Sequence, residues 1–241
     1  LRLSGKAADG HVLVPGVALD LTGANGEWQL REGVLTVRQA DVRWGTTRGA
    51  NGTLSLDLAD PRRPMDLAVD VEADLAQLPP FLKRVLHDPA VQAELARIRD
   101  LSGTAAGRLA ITGPADGLQV KVDIATFALA AQYDRLPFPV SAQGQTLTYS
   151  SEGLAFQAIT AHMQASRVEG LGGRITWNPA PRMALQGRAA HLACAQLYPW
   201  LAALPGLQAH LQAIESIDGR ISLAEFQISG PPADAAQWRV Q

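Results

Sequence analysis

The sequence predicts a mainly β fold made of two tandem antiparallel β-rich repeat units, each with a short helical hairpin. Three observations predict it: segments in which apolar and polar residues alternate, Gly- and Pro-bearing turns between those segments, and an ordered series of matches between the two halves.

The alternation is plain in the first half. Leu54, Leu56 and Leu58 alternate with Thr53, Ser55 and Asp57, and Leu67, Val69 and Val71 alternate with Asp66, Ala68 and Asp70. Val120, Val122 and Ile124 do the same with Gln119, Lys121 and Asp123. The second half repeats the habit at Leu147/Tyr149, Ile175/Trp177 and Phe226/Ile228. Successive side chains of a strand point to opposite faces, so this period of two describes an antiparallel sheet with one apolar and one wet side. Asn51-Gly52, Asp60-Pro61, Gly113-Pro114, Gly172-Gly173, Asn178-Pro179 and Gly230-Pro231 are expected to be turns between strands.

The repeat links the halves. Val91, Leu95, Ile98 and Leu101, preceded by Asp88-Pro89, recur 116 residues later as Leu207, Leu211, Ile214 and Ile217, preceded by Leu204-Pro205. Both sets have the spacing of an amphipathic helix entered at a proline. Leu109-Ala-Ile-Thr-Gly-Pro114 matches Phe226-Gln-Ile-Ser-Gly-Pro231, Leu78-Pro-Pro-Phe-Leu82 matches Leu197-Tyr-Pro-Trp-Leu201, and Arg31-Glu-Gly-Val34 matches Ser151-Glu-Gly-Leu154. Matches that keep their order while the offset drifts mark a duplication with small loop insertions. The expected units are residues 1–123 and 124–241, with hairpins at about 76–100 and 193–216.

Composition narrows the function. With 47% hydrophobic residues the chain can bury a sizeable core. Twenty-one basic residues against 23 acidic ones leave a net charge of −2, which offers no electrostatic case for nucleic acid. Cys194 is the only cysteine, so no intramolecular disulfide can form. The longest apolar stretch, Leu197 to Leu207, is too short for a membrane span and contains Pro199 and Pro205. A sequence that begins at Leu1 and ends within the strand-like Trp238–Val240 pattern reads as a piece of a longer protein.

The search for chemistry finds no catalytic residue, metal site or cofactor site. There is no nucleophile elbow, phosphate loop, H-E-x-x-H or dinucleotide fingerprint. Gly170-Leu-Gly172-Gly173 lies between strands and opens no helix, so it is expected to be a hairpin turn. His191 and Cys194 have an H-x-x-C spacing but lack the second pair that a structural zinc needs. Asp66, Asp70, Glu72 and Asp74 fall at even spacing and would share one strand face. They are the only candidates for calcium or acid–base work, yet the second half keeps none of them near Gly187, Ala189 and His191. A solvated face accounts for them.

Landmarks in the second half, Leu136-Pro-Phe-Pro-Val140, Gly153-Leu-Ala-Phe156, Gly172-Gly-Arg-Ile-Thr-Trp177, Ile217-Asp-Gly-Arg-Ile221 and Ile228-Ser-Gly-Pro231, resemble the C-terminal repeat region of AsmA-like proteins of Gram-negative envelopes. The resemblance implies an elongated curved sheet whose apolar face forms a groove for phospholipid acyl chains, carrying lipid between inner and outer membranes. It also implies a periplasmic location, anchorage to the inner membrane outside this fragment, and no catalytic residues. The lipid-groove candidates are then Leu54, Leu56, Leu67, Val69, Val120 and Val122. Two other readings stay open: a scaffold that binds other envelope proteins by its sheet edges, and an enzyme using the acids from Asp66 to Asp74. The apolar faces could also pack on each other or on the helices as an ordinary core.

Overall fold

In the computed structural model the described residues are 2–14, 19–85, 89–203, 211, 213–215, 217–232 and 237–241. The fold is mainly β and antiparallel. The first strands are β1 (Arg2–Val14), β2 (Leu19–Arg31), β3 (Val34–Trp44), β4 (Thr47–Asp57) and β5 (Met65–Asp74). A 3-10 turn (Leu75–Gln77) and two short helices, α1 (Leu78–Val85) and α2 (Pro89–Ala96), lead into β6 (Ile98–Gly113) and β7 (Gln119–Tyr133). The second half continues with β8 (Val140–Ser150), β9 (Gly153–Met163), β10 (Ser166–Thr176), β11 (Arg182–Gly187), β12 (Ala189–Ala193) and α3 (Cys194–Ala203). It ends with β13 (Arg220–Leu223), β14 (Phe226–Gly230) and β15 (Arg239–Val240). The hydrogen-bonding order follows the chain from β1 to β11 and then passes to β14 and β15, while β12 pairs with β10 and β13.

Two compact units are present. One comprises residues 1–95, 103–126 and 148–151, and the other residues 96–102, 127–147 and 152–241. Backbone details recur from one to the other at an offset of 119. Gln39 (φ 52°) and Ala158 (φ 54°), and Asn51 (φ 53°) and Gly170 (φ 57°), occupy left-handed positions inside strands. The ladder slips at these places, between Val37 and Ala40, Ala50 and Thr53, and Val168 and Leu171. These are β-bulges, which set two residues against one and increase local twist. A left-handed backbone costs a non-glycine residue about 1–2 kcal/mol, so three such sites are sustained only by the ladders around them. Asn51 is helped by its side chain, which donates to Asp70 Oδ2 at 3.2 Å.

Two expectations are corrected here. Asn51-Gly52 and Gly170-Leu-Gly172-Gly173 are not turns; both lie within unbroken strands, β4 and β10, as bulges. A positive-φ residue followed by glycine resembles a hairpin signal locally, and only the partner strand distinguishes the two. The helix expected through Val91, Leu95, Ile98 and Leu101 stops at Ala96, and Ile98 and Leu101 belong to β6. The strand wins because its backbone and side chains find partners. Arg97 O accepts from Asp134 N at 3.0 Å, Arg99 pairs with the Asp134 carboxylate, and Ser102 Oγ reaches Ala130 O at 3.5 Å. In the second copy Leu211 is helical and Ile214 and Ile217 are not, while Leu207 and most of the expected second helical arm lie outside the described residues.

Candidate functional site

Directly opposed residues in an antiparallel ladder project to the same face, so the register defines each face row by row. In the first unit Leu3, Leu30, Leu35, Leu56 and Met65 are successive partners from β1 to β5. Beside them run Gly5, Trp28, Val37, Leu54, Leu67 and, on β6, Ile111. Val69 pairs with Leu109 in the following row. Thus Leu54, Leu56, Leu67 and Val69 are brought together as one apolar face. Val71 pairs with Gly107, and β7 approaches so closely there that a Cβ on Gly107 would stand 2.2 Å from Asp123 O and 2.7 Å from Ile124 Cα. That alignment sets Val120, Val122 and Ile124 on the same face, with Lys121 and Asp123 paired at 2.8 Å on the other.

The opposite face is mainly polar, with Val34 and small alanines such as Ala68 and Ala110 among its polar residues. Ser4, Gln29, Thr36, Ser55, Asp66 and Thr112 form one of its rows. Asp66 is exposed. Asp70 is held by Arg108 Nη1 at 2.7 Å, and Glu72 lies opposite Arg48 and Ala106. Asp74 caps the 3-10 turn: its carboxylate accepts from Thr46 Oγ1 at 2.6 Å and from Ala76 N at 3.0 Å. The Thr46 hydrogen bond, followed by the Ala76 amide, holds the Asp74 carboxyl below its ordinary value. The four acids therefore occupy separate structural positions and do not converge on a common point. His191 Nδ1 lies 3.1 Å from Ser222 Oγ, and Cys194 contacts Leu192 O, so the H-x-x-C pair divides between two local jobs. Among the described residues no group of three or more His, Cys, Asp or Glu side chains is placed to hold a metal ion.

The apolar face is not covered as a core would be. Leu54, Leu56, Leu67, Val69 and Val122 are half-buried and Val120 is exposed. No large side chain is fully buried among the described residues, and Leu3, Leu58 and Val120 rank among the exposed hydrophobics.

Each unit closes one end of its face with its helical segment. In the first, Trp44 at the end of β3 meets Phe81 of α1 with ring centroids 5.0 Å apart. Thr47 Oγ1 accepts from Asp74 N at 3.1 Å, and the Gln77 amide sits on Thr46 and Thr47. The second unit repeats this staple: Ser166 Oγ accepts from Ala193 N at 3.1 Å, and Gln196 accepts from Ala165 N at 3.2 Å. Leu75 and Leu197, on these two segments, are among the few buried apolar residues.

The rows also recur. Leu35–Leu56–Met65–Gly113 in the first unit corresponds to Leu154–Ile175–Met183–Gly230 in the second. Val37–Leu54–Leu67–Ile111 corresponds to Phe156–Gly173–Leu185–Ile228. Where a residue shrinks, its neighbour grows. The Val69–Leu109 pair becomes Gly187–Phe226, and the phenyl ring lies where a Gly187 side chain would stand, 2.2 Å from its Cβ position. Sequence reasoning missed Trp28, Leu30, Leu35, Val37 and Ile111, although Trp28-Gln-Leu30 and Leu35-Thr-Val37 carry the same period-two signal in shorter form.

Compared with protein-family models, curated proteins and solved structures, the chain matches none.

Proposed function

We propose that this chain is a segment of a non-catalytic, AsmA-like envelope protein whose apolar sheet face carries phospholipid acyl chains between the inner and outer membranes. The observation that supports this reading is an apolar face, continuous from strand to strand and repeated row for row, over which the described residues lay no second layer. From Leu3 to Met65 the row crosses five strands, which at the usual strand spacing is about 19 Å. An acyl chain laid along it gains about 0.8 kcal/mol for each methylene kept from water, with no polar group needed to fix its position. The anchor to the inner membrane and the periplasmic setting belong to the same reading; no helix among the described residues is long and apolar enough to cross a membrane. Polar residues on the other face differ between the units while apolar rows keep their character, as expected if the apolar face does the work.

Native mass spectrometry of the chain purified without detergent tests the proposal. Adducts of phospholipid mass are expected, displaced by added free fatty acid. A chain that carries no lipid and takes up none from vesicles would overturn the proposal in favour of a scaffold that binds other chains at its sheet edges.

A further inference from the structure

The polar face of the second unit carries a feature that lipid conduction does not use. At the outer ends of β10, β11, β14 and β15 a cleft of about 470 Å³ is lined by Arg174, Arg182 and Arg239 together with Thr176, Ser229 and Gln237, and also by the apolar Met183 and Pro231. Its register explains its form. Arg174, Ala184, Ser229 and Arg239 are successive partners across four strands, which places the two arginines about 14 Å apart at the backbone. Between them Ala184 and Ser229 form a low floor, so long guanidinium side chains rise as walls on either side. Arg182, opposite Thr176, closes the end. Among the described residues no carboxylate lines the cleft, and none of the three arginines has an ion pair.

The repeat shows that the fold does not require this charge. The positions equivalent to Arg174, Thr176, Ala184 and Ser229 in the first unit are Ser55, Asp57, Asp66 and Thr112. Two acids stand there and no arginine, so the same backbone carries opposite sign. We propose that the Arg174–Arg182–Arg239 cleft binds a phosphate-bearing group, with the guanidinium groups as planar donor forks and the Thr176 and Ser229 hydroxyls as neutral donors. Arginine forks match phosphate oxygens bidentately, and a cleft of this volume holds more than a bare phosphate ion, fitting a phosphorylated polyol or the headgroup of a phospholipid. The inference stands on this geometry and does not depend on the acyl-chain reading.

The test is calorimetric titration of the intact chain with inorganic phosphate and with glycerol 3-phosphate. It is paired with co-sedimentation on phosphatidylcholine vesicles with and without phosphatidic acid. Saturable binding of the soluble phosphates is expected, weakened about tenfold by each of Arg174→Gln, Arg182→Gln and Arg239→Gln, partly restored by Lys at the same positions, and unchanged by Arg220→Gln outside the cleft. Preference for phosphatidic acid vesicles, lost in the same variants, would identify the source as a lipid headgroup; binding of glycerol 3-phosphate without that preference would identify a soluble ester. All variants are surface changes, and their melting temperatures verify that they fold. No saturable phosphate binding, or binding that the folded triple Arg→Gln variant retains, would overturn the proposal.

Discussion

Leu56→Asp separates an open apolar face from a packed core. Leu56 lies between Leu35 and Met65 in the middle of the first row and is half-buried. If water or lipid reaches the face, the substitution forfeits about half of a leucine's burial, roughly 1 kcal/mol. Aspartate's poor fit to a strand adds up to about 1 kcal/mol, and the carboxylate stays solvated. A total of about 2 kcal/mol lowers the melting temperature of a chain this size by about 4–8 °C. If protein covered the face, the carboxylate would be buried without a partner at a cost of several kcal/mol, and folding would fail. Ile159→Asp supplies the reference, because Ile159 is only 8% exposed and belongs to the small buried set. Circular dichroism melts of both variants, with lipid uptake measured on the folded one, give the answer. The account expects Leu56→Asp to fold and to lose lipid, and Ile159→Asp not to fold. Equal loss of folding in both would refute the open-face reasoning.

The acids should tolerate neutralisation. Asp66→Asn and Glu72→Gln are expected to change stability by no more than about 0.5 kcal/mol, and Asp70→Asn by up to about 1 kcal/mol through the exposed Arg108 pair, with lipid uptake intact; loss of uptake in a folded triple variant would contradict the assignment of uptake to the apolar face alone. The Asp74 carboxyl is lowered in the folded chain, so its stabilising effect is present above the ordinary value of 3.8 and is lost as pH falls through the folded value; Asp74→Asn should remove that part of the acid dependence of the melting temperature. Gly187→Val alone should be destabilising because of the Phe226 ring. Adding Phe226→Leu restores the first unit's Val69–Leu109 pair and should recover stability, with a coupling of about 1–3 kcal/mol in a double-mutant cycle. Phe81→Ala should expose Trp44 and shift its fluorescence to the red; an unchanged spectrum would contradict the aromatic closure seen in the structure.

Much of the fold was legible because a period of two needs no tertiary knowledge. Leu54-Ser-Leu56 and Leu67-Ala-Val69 are strands by pattern, and their partnership follows from the hairpins that join them. What escaped was decided by partners distant in sequence. Ile98 and Leu101 complete a helical spacing after Val91 and Leu95, but Ala130 of β7 and Asp134 just beyond it bind their neighbours Ser102, Arg97 and Arg99 and hold the segment as a strand. Asn51-Gly52 and Gly170-Leu-Gly172 look like turns because a bulge and a hairpin both need a left-handed residue. The six groove candidates fell on one face because their alternation is unbroken. Trp28 and Val37 were missed because a bulge at Gln39 and the glycines of β2 interrupt theirs. The arginine cleft could not be read from the sequence: Arg174 and Arg182 sit on one hairpin, but Arg239 lies far from both, and only the ladder from β10 to β15 brings it to them.

The central claim is that acyl chains lie against the apolar rows, and Trp28 is placed to report it. Trp28 stands between Gly5 and Val37 in the second row, where a Cβ on Gly5 would touch its indole at 3.0 Å. In a variant retaining Trp28 as its only tryptophan, phospholipid brominated on the acyl chains should quench the fluorescence, and Leu56→Asp should abolish the quenching. Unquenched Trp28 emission in the folded protein, at lipid concentrations that saturate any binding, would contradict the account.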